Sequence, residues 1–444
     1  MAEKAWAQMT PEEKRAVRIE NWRNPGAPFA TPEAEADYKA RVGRLIDAIN
    51  LQEPDRVPVS LTSGFWPALR AGMTPYEAMS DTARASQAWI DFNLEFKLDA
   101  MVSPILQTTP GSVFEAIDYR LYNWPGHGVS KEVGYQYNEA EWMLADEYDH
   151  LITDPSDYML RVYLPRTVGA FSGFAGLTSL FDFMELPFVS GHIGSWGSPE
   201  MVAGLKKILE ASEMVGAWAQ LTFGAIGQLV TSGFPAYWGG STKAPFDILG
   251  DTLRGTKGVI LDLFRQPDKV LAACDRLTQV AIDFVTRRPG GAATPVIFIP
   301  LHKGADGFMS DEQFHKFYWP SLRTTLMGLI DEGYIPFLFA EGRYGSRLEA
   351  ICDLPKASTV WLFDQTDMAK AKATIGQVAC IQGNVPLSLM YAGTAEDTAA
   401  YARNLIEIAA PGGGFVLDCG AVADDGKDEN LRAMINAAWE HGRY

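Results

Sequence analysis

Cysteines are few in this sequence, and long apolar runs are missing. The four cysteines among 444 residues stand far apart with no CxxC spacing, so reduced thiols are expected rather than a disulfide framework. The longest apolar runs, such as VIFIPL and FVLDCG, have the length of a strand and fall short of the roughly 20 residues that span a bilayer. The first residues are too charged for a secretory signal. A cytoplasmic protein without a membrane segment is therefore predicted.

Basic residues are also scarce relative to acidic ones. The chain has 38 lysines and arginines against 55 aspartates and glutamates, which gives a formal net charge of −17. Such a charge repels nucleic acids and anionic membranes, and no basic patch offsets it. The expected ligand is therefore a small molecule, and neither nucleic acid nor membrane is an expected partner.

From residue 56 onward, short apolar segments alternate with long amphipathic helical stretches. Eight such segments, most of them apolar on both faces, are typical of a parallel sheet covered by helices. The series predicts an α/β fold, a TIM (β/α)8 barrel. The predicted strands are 56–61, 99–104, 229–238, 294–301, 334–341, 358–365, 377–385 and 413–420.

Two segments extend this barrel, which is predicted to occupy residues 56–444. Residues 1–55 predict an N-terminal helical extension that packs on the outside. Roughly 120 residues separate the second and third predicted strands, and a structureless loop of that length is improbable. Residues 105–228 are therefore predicted to be an insertion that forms a lid over the rim or part of a homodimer. Within it, a β-hairpin is expected around Pro125-Gly126.

Polar residues follow several of the predicted strands, where the active site of such a barrel lies. His302 and Lys303 follow the fourth strand, Glu341 the fifth and Asp364 the sixth, and we predict catalytic roles for these four residues. Aromatic residues near the strand ends would suit a flat ligand. The predicted substrate-contacting residues are Trp66, Tyr237, Trp238, His192, Gln365 and Asn384.

Structural explanations of the same residues stay open. His302 would equally serve as a strand-end histidine bonded to a backbone carbonyl, and Glu341 would equally form an ion pair with Arg343 or Arg347. Asp364 has a neighbour, Asp367, that is best explained as a helix N-cap. The aromatic residues would equally fill the core.

Several motifs resemble those of the uroporphyrinogen decarboxylase superfamily from about Arg56 onward. They are DRVPV at the first predicted strand, FDILGDTLRG and FRQPDKVLAACD after the third, QGNV at the seventh, and GGGFVLDCG followed by ENLRAMINA at the end. The superfamily's fold is a TIM barrel. The resemblance implies either a porphyrinogen decarboxylase or a zinc-dependent methyltransferase that works with corrinoid proteins or with thiol and folate carriers.

Three departures from the decarboxylase pattern favour the methyltransferase branch. The decarboxylases carry Arg-Gln-Ala-Gly-Arg after the first strand, where this chain has only Arg70 nearby. They carry an aspartate at the end of the second strand, where this chain has Val102-Ser103-Pro104, and a histidine at the position of Cys419. In the methyltransferases a cysteine at this last position binds zinc, and Cys419 matches it.

The other zinc ligands of those methyltransferases form a His-x-Cys that aligns with residues 339–341, where neither ligand is kept. Glu341 is predicted to replace the cysteine and His302 to supply a nitrogen, since zinc accepts all three ligand types. The predicted metal ligands are therefore His302, Glu341 and Cys419. Cys419 would equally be an ordinary buried thiol.

The predicted function is that of a cobalamin-linked, zinc-dependent methyltransferase. Glutamate and histidine are harder ligands than thiolates, which favours a small methoxylated or methylamine-type substrate. The corrinoid is expected on a partner protein. Two alternatives remain: a decarboxylase of a porphyrinogen or smaller carboxylic acid, and a non-catalytic ligand-binding barrel.

Overall fold

A parallel sheet is the centre of the protein, whose computed structural model describes residues 4–288 and 291–444. In this part of the chain six parallel strands follow the order β4-β5-β6-β7-β8-β9. Most of their residues are buried apolar side chains, as expected of strands covered on both faces. The strands are β1 (Tyr122–Pro125), β2 (Gly128–Val129), β3 (Gln136–Tyr137), β4 (Trp238–Ser241), β5 (Val296–Leu301), β6 (Ile335–Ala340), β7 (Val360–Phe363), β8 (Cys380–Gln382) and β9 (Phe415–Val416).

Two extended segments link β9 back toward β4. They are residues 58–62 and 99–102, which match the first two predicted strands. Their backbone hydrogen bonds, each of 2.8–3.0 Å, run from Ser60 N to Leu417 O, Leu417 N to Pro58 O, Asp99 N to Val59 O and Met101 N to Pro235 O. The prediction of an α/β protein with a parallel sheet is thus confirmed, and the linkage is consistent with the predicted barrel.

Helices surround the sheet. The longer α-helices are Pro11–Arg23, Pro32–Ile49, Thr82–Phe96, Leu186–Trp196, Pro199–Thr231, Gly255–Arg265, Pro267–Thr286, Trp319–Asp331, Ala395–Ala409 and Asp428–His441. Shorter ones are Trp66–Arg70, Pro75–Ala78, Gly111–Ala116, Tyr148–Thr153, Pro155–Tyr158, Leu164–Thr167, Pro245–Asp247, Asp311–Gln313, Met368–Thr374 and Leu387–Tyr391. Short 3₁₀ or π segments are Trp6–Gln8, Met159–Tyr163, Gly169–Gly176, Leu180–Phe183, Ile248–Leu253, Phe314–Tyr318 and Ala350–Cys352. Among the described residues, no helix combines the length and apolarity needed to traverse a bilayer.

The prediction of a third strand at residues 229–238 is wrong for most of its length. Its first residues complete the helix Pro199–Thr231, which ends at a turn where Gly233 has a φ of +96°. Leu229 is buried as part of that helix, and β4 begins only at Trp238. A short apolar run does not distinguish the end of a buried helix from a strand.

Side chains of the strands alternate between two apolar layers. Phe298, Phe337 and Val416 lie in a cluster enclosed by the sheet. Their neighbours Ile297, Leu338 and Leu417 lie in the cluster that includes the outer helices. Because successive residues of a strand point to opposite faces, 302, 341 and 418 continue the inner rows and 419 continues the outer row.

The N-terminal helices close one end of the enclosed cluster. Trp22 and Leu45 pack in the same cluster as Val296 and Ile335, which begin β5 and β6. The Trp22 ring lies 6.4 Å from that of Tyr237, in a stacked arrangement. The N-terminal extension therefore covers the N-terminal ends of the strands rather than the outer helices. The C-terminal ends of the strands stay available for a site.

The segment predicted as an insertion contains helices and the small sheet of β1, β2 and β3. Trp124 and His127 exchange both backbone hydrogen bonds across Pro125-Gly126, as expected of a tight hairpin turn. Tyr137 Oη donates to the carbonyl of Asp251 at 2.7 Å, so this sheet contacts the chain that follows β4. Its service as a lid remains a prediction.

Candidate active site

A line of three side chains lies at the C-terminal ends of β5 and β6. His302 Nδ1 lies 2.5 Å from Asp251 Oδ2, and His302 Nε2 lies 3.5 Å from Glu341 Oε1. The side chains of His302 and Glu341 are 33% and 43% exposed, whereas that of Asp251 is only 10% exposed. The buried carboxylate thus orients the ring, and the outer nitrogen faces the open end of the sheet.

Two lysines surround the same carboxylate. Lys243 Nζ lies 2.7 Å from Asp251 Oδ2, and Lys303 Nζ lies 3.4 Å from Asp251 Oδ1. Lys303 also donates to Thr256 Oγ1 at 2.7 Å. Lys303, predicted to be catalytic, is placed to hold Asp251 rather than to point into the opening beside Glu341.

A second aspartate fixes the backbone beneath the ring. Asp247 is fully buried and accepts hydrogen bonds from the backbone N–H groups of His302, at 3.1 Å, and Lys303, at 2.9 Å. Tyr318 Oη donates to it at 2.7 Å. Asp247 is therefore a positioning residue for His302.

These contacts set the charge of the histidine. Burial disfavours its charged form, but the hydrogen bonds to Asp251 and Glu341 outweigh burial and raise the pKa of His302 to about 10. Burial also opposes the charge of Asp251, yet the hydrogen bond from His302 and the charge of Lys243 hold the pKa of Asp251 well below its usual range. Burial raises the pKa of Asp247 to about 6. His302 is accordingly an imidazolium at neutral pH, able to donate a proton from Nε2.

We expect activity that depends on protonated His302 to persist well above neutral pH. An ordinary histidine would lose its proton near pH 6.5, whereas a group with a raised pKa keeps it until the pH approaches about 10. Replacing Asp251 with asparagine removes the negative charge, so the basic limb of the kcat/KM profile should move to lower pH. The Asp275→Asn variant, on an exposed helix face, serves as control. An unchanged limb in Asp251→Asn would contradict this role.

Three predicted residues line an open cleft whose lining includes neither His302 nor Glu341. Asp364 Oδ2 accepts from Gly342 N at 3.0 Å, and Asn384 Nδ2 donates to the Asp364 carbonyl at 2.9 Å. With Gln365 they border a cleft of about 620 Å³ that opens at the ends of β7 and β8. Burial raises the pKa of Asp364. Asn384 ties the loops together, and a substrate role for these three residues remains a prediction.

The predicted aromatic and histidine contacts lie elsewhere. Trp66 is 1% exposed and packs edge-on against Phe92 in the outer layer. Tyr237 and Trp238 fill the interior of the sheet, where strand residues of this size serve as core. His192 is buried within the inserted segment, 2.7 Å from Thr178 Oγ1. These four placements correct the prediction that the residues line the opening.

The predicted zinc ligands do not come together. Cys419 packs in the outer apolar layer with Leu417, because its position alternates away from the interior. Burial raises the pKa of its thiol well above the usual range. Within residues 4–288 and 291–444, no group of three or more histidine, cysteine, aspartate or glutamate side chains is arranged to hold a metal ion. His302, Glu341 and Cys419 therefore do not fit a zinc site in this arrangement.

The inner row of β9 instead continues to Asp418. Its fully buried carboxylate accepts from Ser60 Oγ at 2.8 Å, Gln382 Nε2 at 2.8 Å and the backbone N–H of Thr62 at 3.0 Å. The backbone N–H of Cys419 and the hydroxyl of Thr62 also donate to it. This network joins the first extended segment to β8 and β9 inside the sheet.

Two central residues, Asp247 and Asp251, were missed in the sequence. They stand four apart in FDILGDTLRG, on the turns Pro245–Asp247 and Ile248–Leu253, so both reach the start of the loop after β5. The signal was present, since two aspartates at this spacing share one helical face. Because the third strand was predicted too early in the chain, Asp247 and Asp251 did not stand out as residues that follow it closely.

Comparisons with known proteins agree with this architecture. The family model described as Uroporphyrinogen decarboxylase (URO-D) matches residues 202–441, more than half of the chain, and begins later than the resemblance predicted from about residue 56. A methyltransferase from Methanosarcina mazei has a TM-score of 0.55 and 16% identity, over 90% of this chain and 98% of that chain, so it shares the fold.

A protein named Uroporphyrinogen decarboxylase from Cellvibrio japonicus (strain Ueda107) is 25% identical over 198 residues, which are 44% of this chain. The match spans 55% of that relative, about half of its length. The extent of the family match decides the assignment: the chain belongs to the uroporphyrinogen decarboxylase (URO-D) family.

Proposed function

We propose that this URO-D family enzyme is a methyltransferase that removes a methyl group from a small methoxylated or methylamine-type substrate, with a corrinoid on a partner protein as acceptor. The observation that carries the proposal is the line Asp251–His302–Glu341, which presents a protonated nitrogen at the open end of the sheet. A leaving oxygen or nitrogen needs such a proton donor when its bond to carbon breaks.

The step balances with His302 as the acid. The bond between the substrate's oxygen and its methyl carbon would break with its electron pair staying on the oxygen, and a reduced corrinoid on the partner protein would supply the nucleophile that accepts the methyl group. His302 Nε2 supplies the proton that neutralises this oxygen. Asp251 stabilises the imidazolium before transfer, and Glu341, 3.5 Å away, orients the Nε2–H.

Access supports an external acceptor. The side chains of His302 and Glu341 are 33% and 43% exposed, so the opening at the ends of β5 and β6 is accessible from outside. A corrinoid supplies a strongly nucleophilic metal centre, which a second protein would have to bring against this opening. No zinc is assigned to the step, because Cys419 lies in the outer layer, away from His302 and Glu341.

Decarboxylation is the second candidate, and the family membership favours keeping it. A substrate with many carboxylates calls for unpaired arginines. Arg70, the arginine that follows the predicted first strand, pairs with Glu95 at 2.5 Å and Asp428 at 2.7 Å. Its engagement weakens the decarboxylase alternative.

The test is a pair of assays on the purified protein. Reduced cobalamin and a methoxylated benzoate or trimethylamine are supplied, and methylation of the cobalamin is followed by absorbance. In parallel, carbon dioxide release is measured from the same benzoate and from a porphyrinogen. Enzyme-dependent methylation supports the proposal, whereas carbon dioxide release without methylation would replace it with the decarboxylase.

A further inference from the structure

Tyrosines of the inserted segment stand beside Asp251, and the proposed step does not use them. Tyr137 Oη donates to the Asp251 carbonyl at 2.7 Å. The ring of Tyr122 lies 5.1 Å from that of Tyr137, at an interplanar angle of 72°. Tyr135 lies 5.9 Å from Tyr122 at 77°. The rings of Tyr137, Tyr122 and Tyr135 thus form a row in space that starts at Asp251, the residue that orients His302.

The row continues to the other side of the opening. Tyr135 lies 6.0 Å from Phe65, and the backbone N–H of Phe65 donates to Asp424 Oδ1 at 3.2 Å. Phe65 follows the first extended segment, and Asp424 lies in the loop after β9. The aromatic row therefore spans from the loop after β4 to the loop after β9, at the C-terminal ends of the strands.

Part of this row is open to a ligand. Tyr135 is 37% exposed, and Tyr122 is half-buried, whereas Phe65 is buried beneath them. Edge-to-face and offset contacts between aromatic rings add about 0.5–1.5 kcal/mol beyond burial of area. A planar ring can add a further stacked or edge-to-face contact to such a surface, which an aliphatic chain cannot do, whereas an alkylammonium would be held there by cation–π attraction.

We propose that Tyr122 and Tyr135 form a wall that determines specificity by holding the ring of an aromatic methyl ether, with its methoxyl oxygen toward His302. This assignment rests on the proposed methyl transfer and narrows its substrate class to aromatic ethers. The leaving group is then a phenol, with an ordinary pKa near 10. A donor whose pKa is raised to about 10 matches that oxygen.

The test measures binding without turnover. The full-length protein is titrated by calorimetry with 4-methoxybenzoate and with 4-methoxycyclohexanecarboxylate, which has the same charge and methoxyl group but no planar ring. We expect tighter binding of the aromatic probe. Tyr122→Leu and Tyr135→Leu should each weaken it roughly 3- to 10-fold, with little change for the cyclohexane probe. Tyr122→Phe, which keeps the ring, should bind like the unmodified protein.

Tyr444→Leu, at the opposite end of the sheet, is the matched control and should bind both probes normally. The proposed wall would be contradicted if the two probes bound with equal affinity, or if both leucine variants left binding of the aromatic probe unchanged. Either result would count against the wall even if methyl transfer from trimethylamine were observed. Selective aromatic binding that depends on Tyr122, without any methylation of cobalamin, would support the wall and refute the proposed function.

Discussion

Replacing His302 with alanine should reduce methyl transfer by roughly 10²–10⁴-fold, the usual contribution of a general acid. The variant removes the only group of the site line that is held as a cation with an outward N–H. The fold should survive, because the His302 side chain is 33% exposed and the backbone N–H that Asp247 binds is retained. Activity and far-ultraviolet circular dichroism are measured together.

His315→Ala is the matched control, since His315 lies exposed on the turn Phe314–Tyr318 and makes no contact with the site line. It should retain full activity. A His302→Ala variant that is folded and as active as the His315→Ala variant would remove His302 from the chemistry. A loss confined to KM would instead make it a binding group.

Replacing Asp418 with alanine should lower the free energy of unfolding by about 4 kcal/mol. The carboxylate is fully buried, and its removal leaves the hydroxyl of Ser60, the amide of Gln382 and the N–H of Thr62 without their acceptor. Each buried donor left unpaired costs about 1–3 kcal/mol, offset in part by no longer burying a charge. Urea denaturation followed by circular dichroism gives the change.

The exposed Asp275→Ala variant, on the helix Pro267–Thr286, should change stability by less than about 0.5 kcal/mol. A loss below about 1 kcal/mol in Asp418→Ala would mean that water or neighbouring groups replace the carboxylate. The network would then not fix the first extended segment to β8 and β9.

Much of the architecture was predictable from the sequence because parallel strands buried on both faces leave continuous apolar runs. TPVIFIPL and YIPFLFAE contain β5 and β6 with bounds within two residues of those observed. The third strand failed because Leu229 and its neighbours are equally apolar at the end of a helix. Only the packing of that helix against the sheet decides between the two.

The candidate site was predictable in part. His302 and Glu341 follow adjacent strands, so their proximity of 3.5 Å follows from the strand order. Cys419 was misjudged although alternation from Val416 would have assigned the interior position to Asp418. Asp251 comes from a segment far from His302 in the chain, and although its spacing from Asp247 indicates a shared helical face, no local pattern reveals that it meets His302.

The most direct measurement follows the methyl group itself. 4-Methoxybenzoate labelled with ¹³C in the methoxyl carbon is incubated with the enzyme and reduced cobalamin, and products are identified by nuclear magnetic resonance. We expect the label to appear as the methyl group of methylcobalamin, with an equal amount of 4-hydroxybenzoate, and both to vanish in His302→Ala. Label that stays on the ring ether while the carboxylate is lost as carbon dioxide would contradict methyl transfer and identify a decarboxylase.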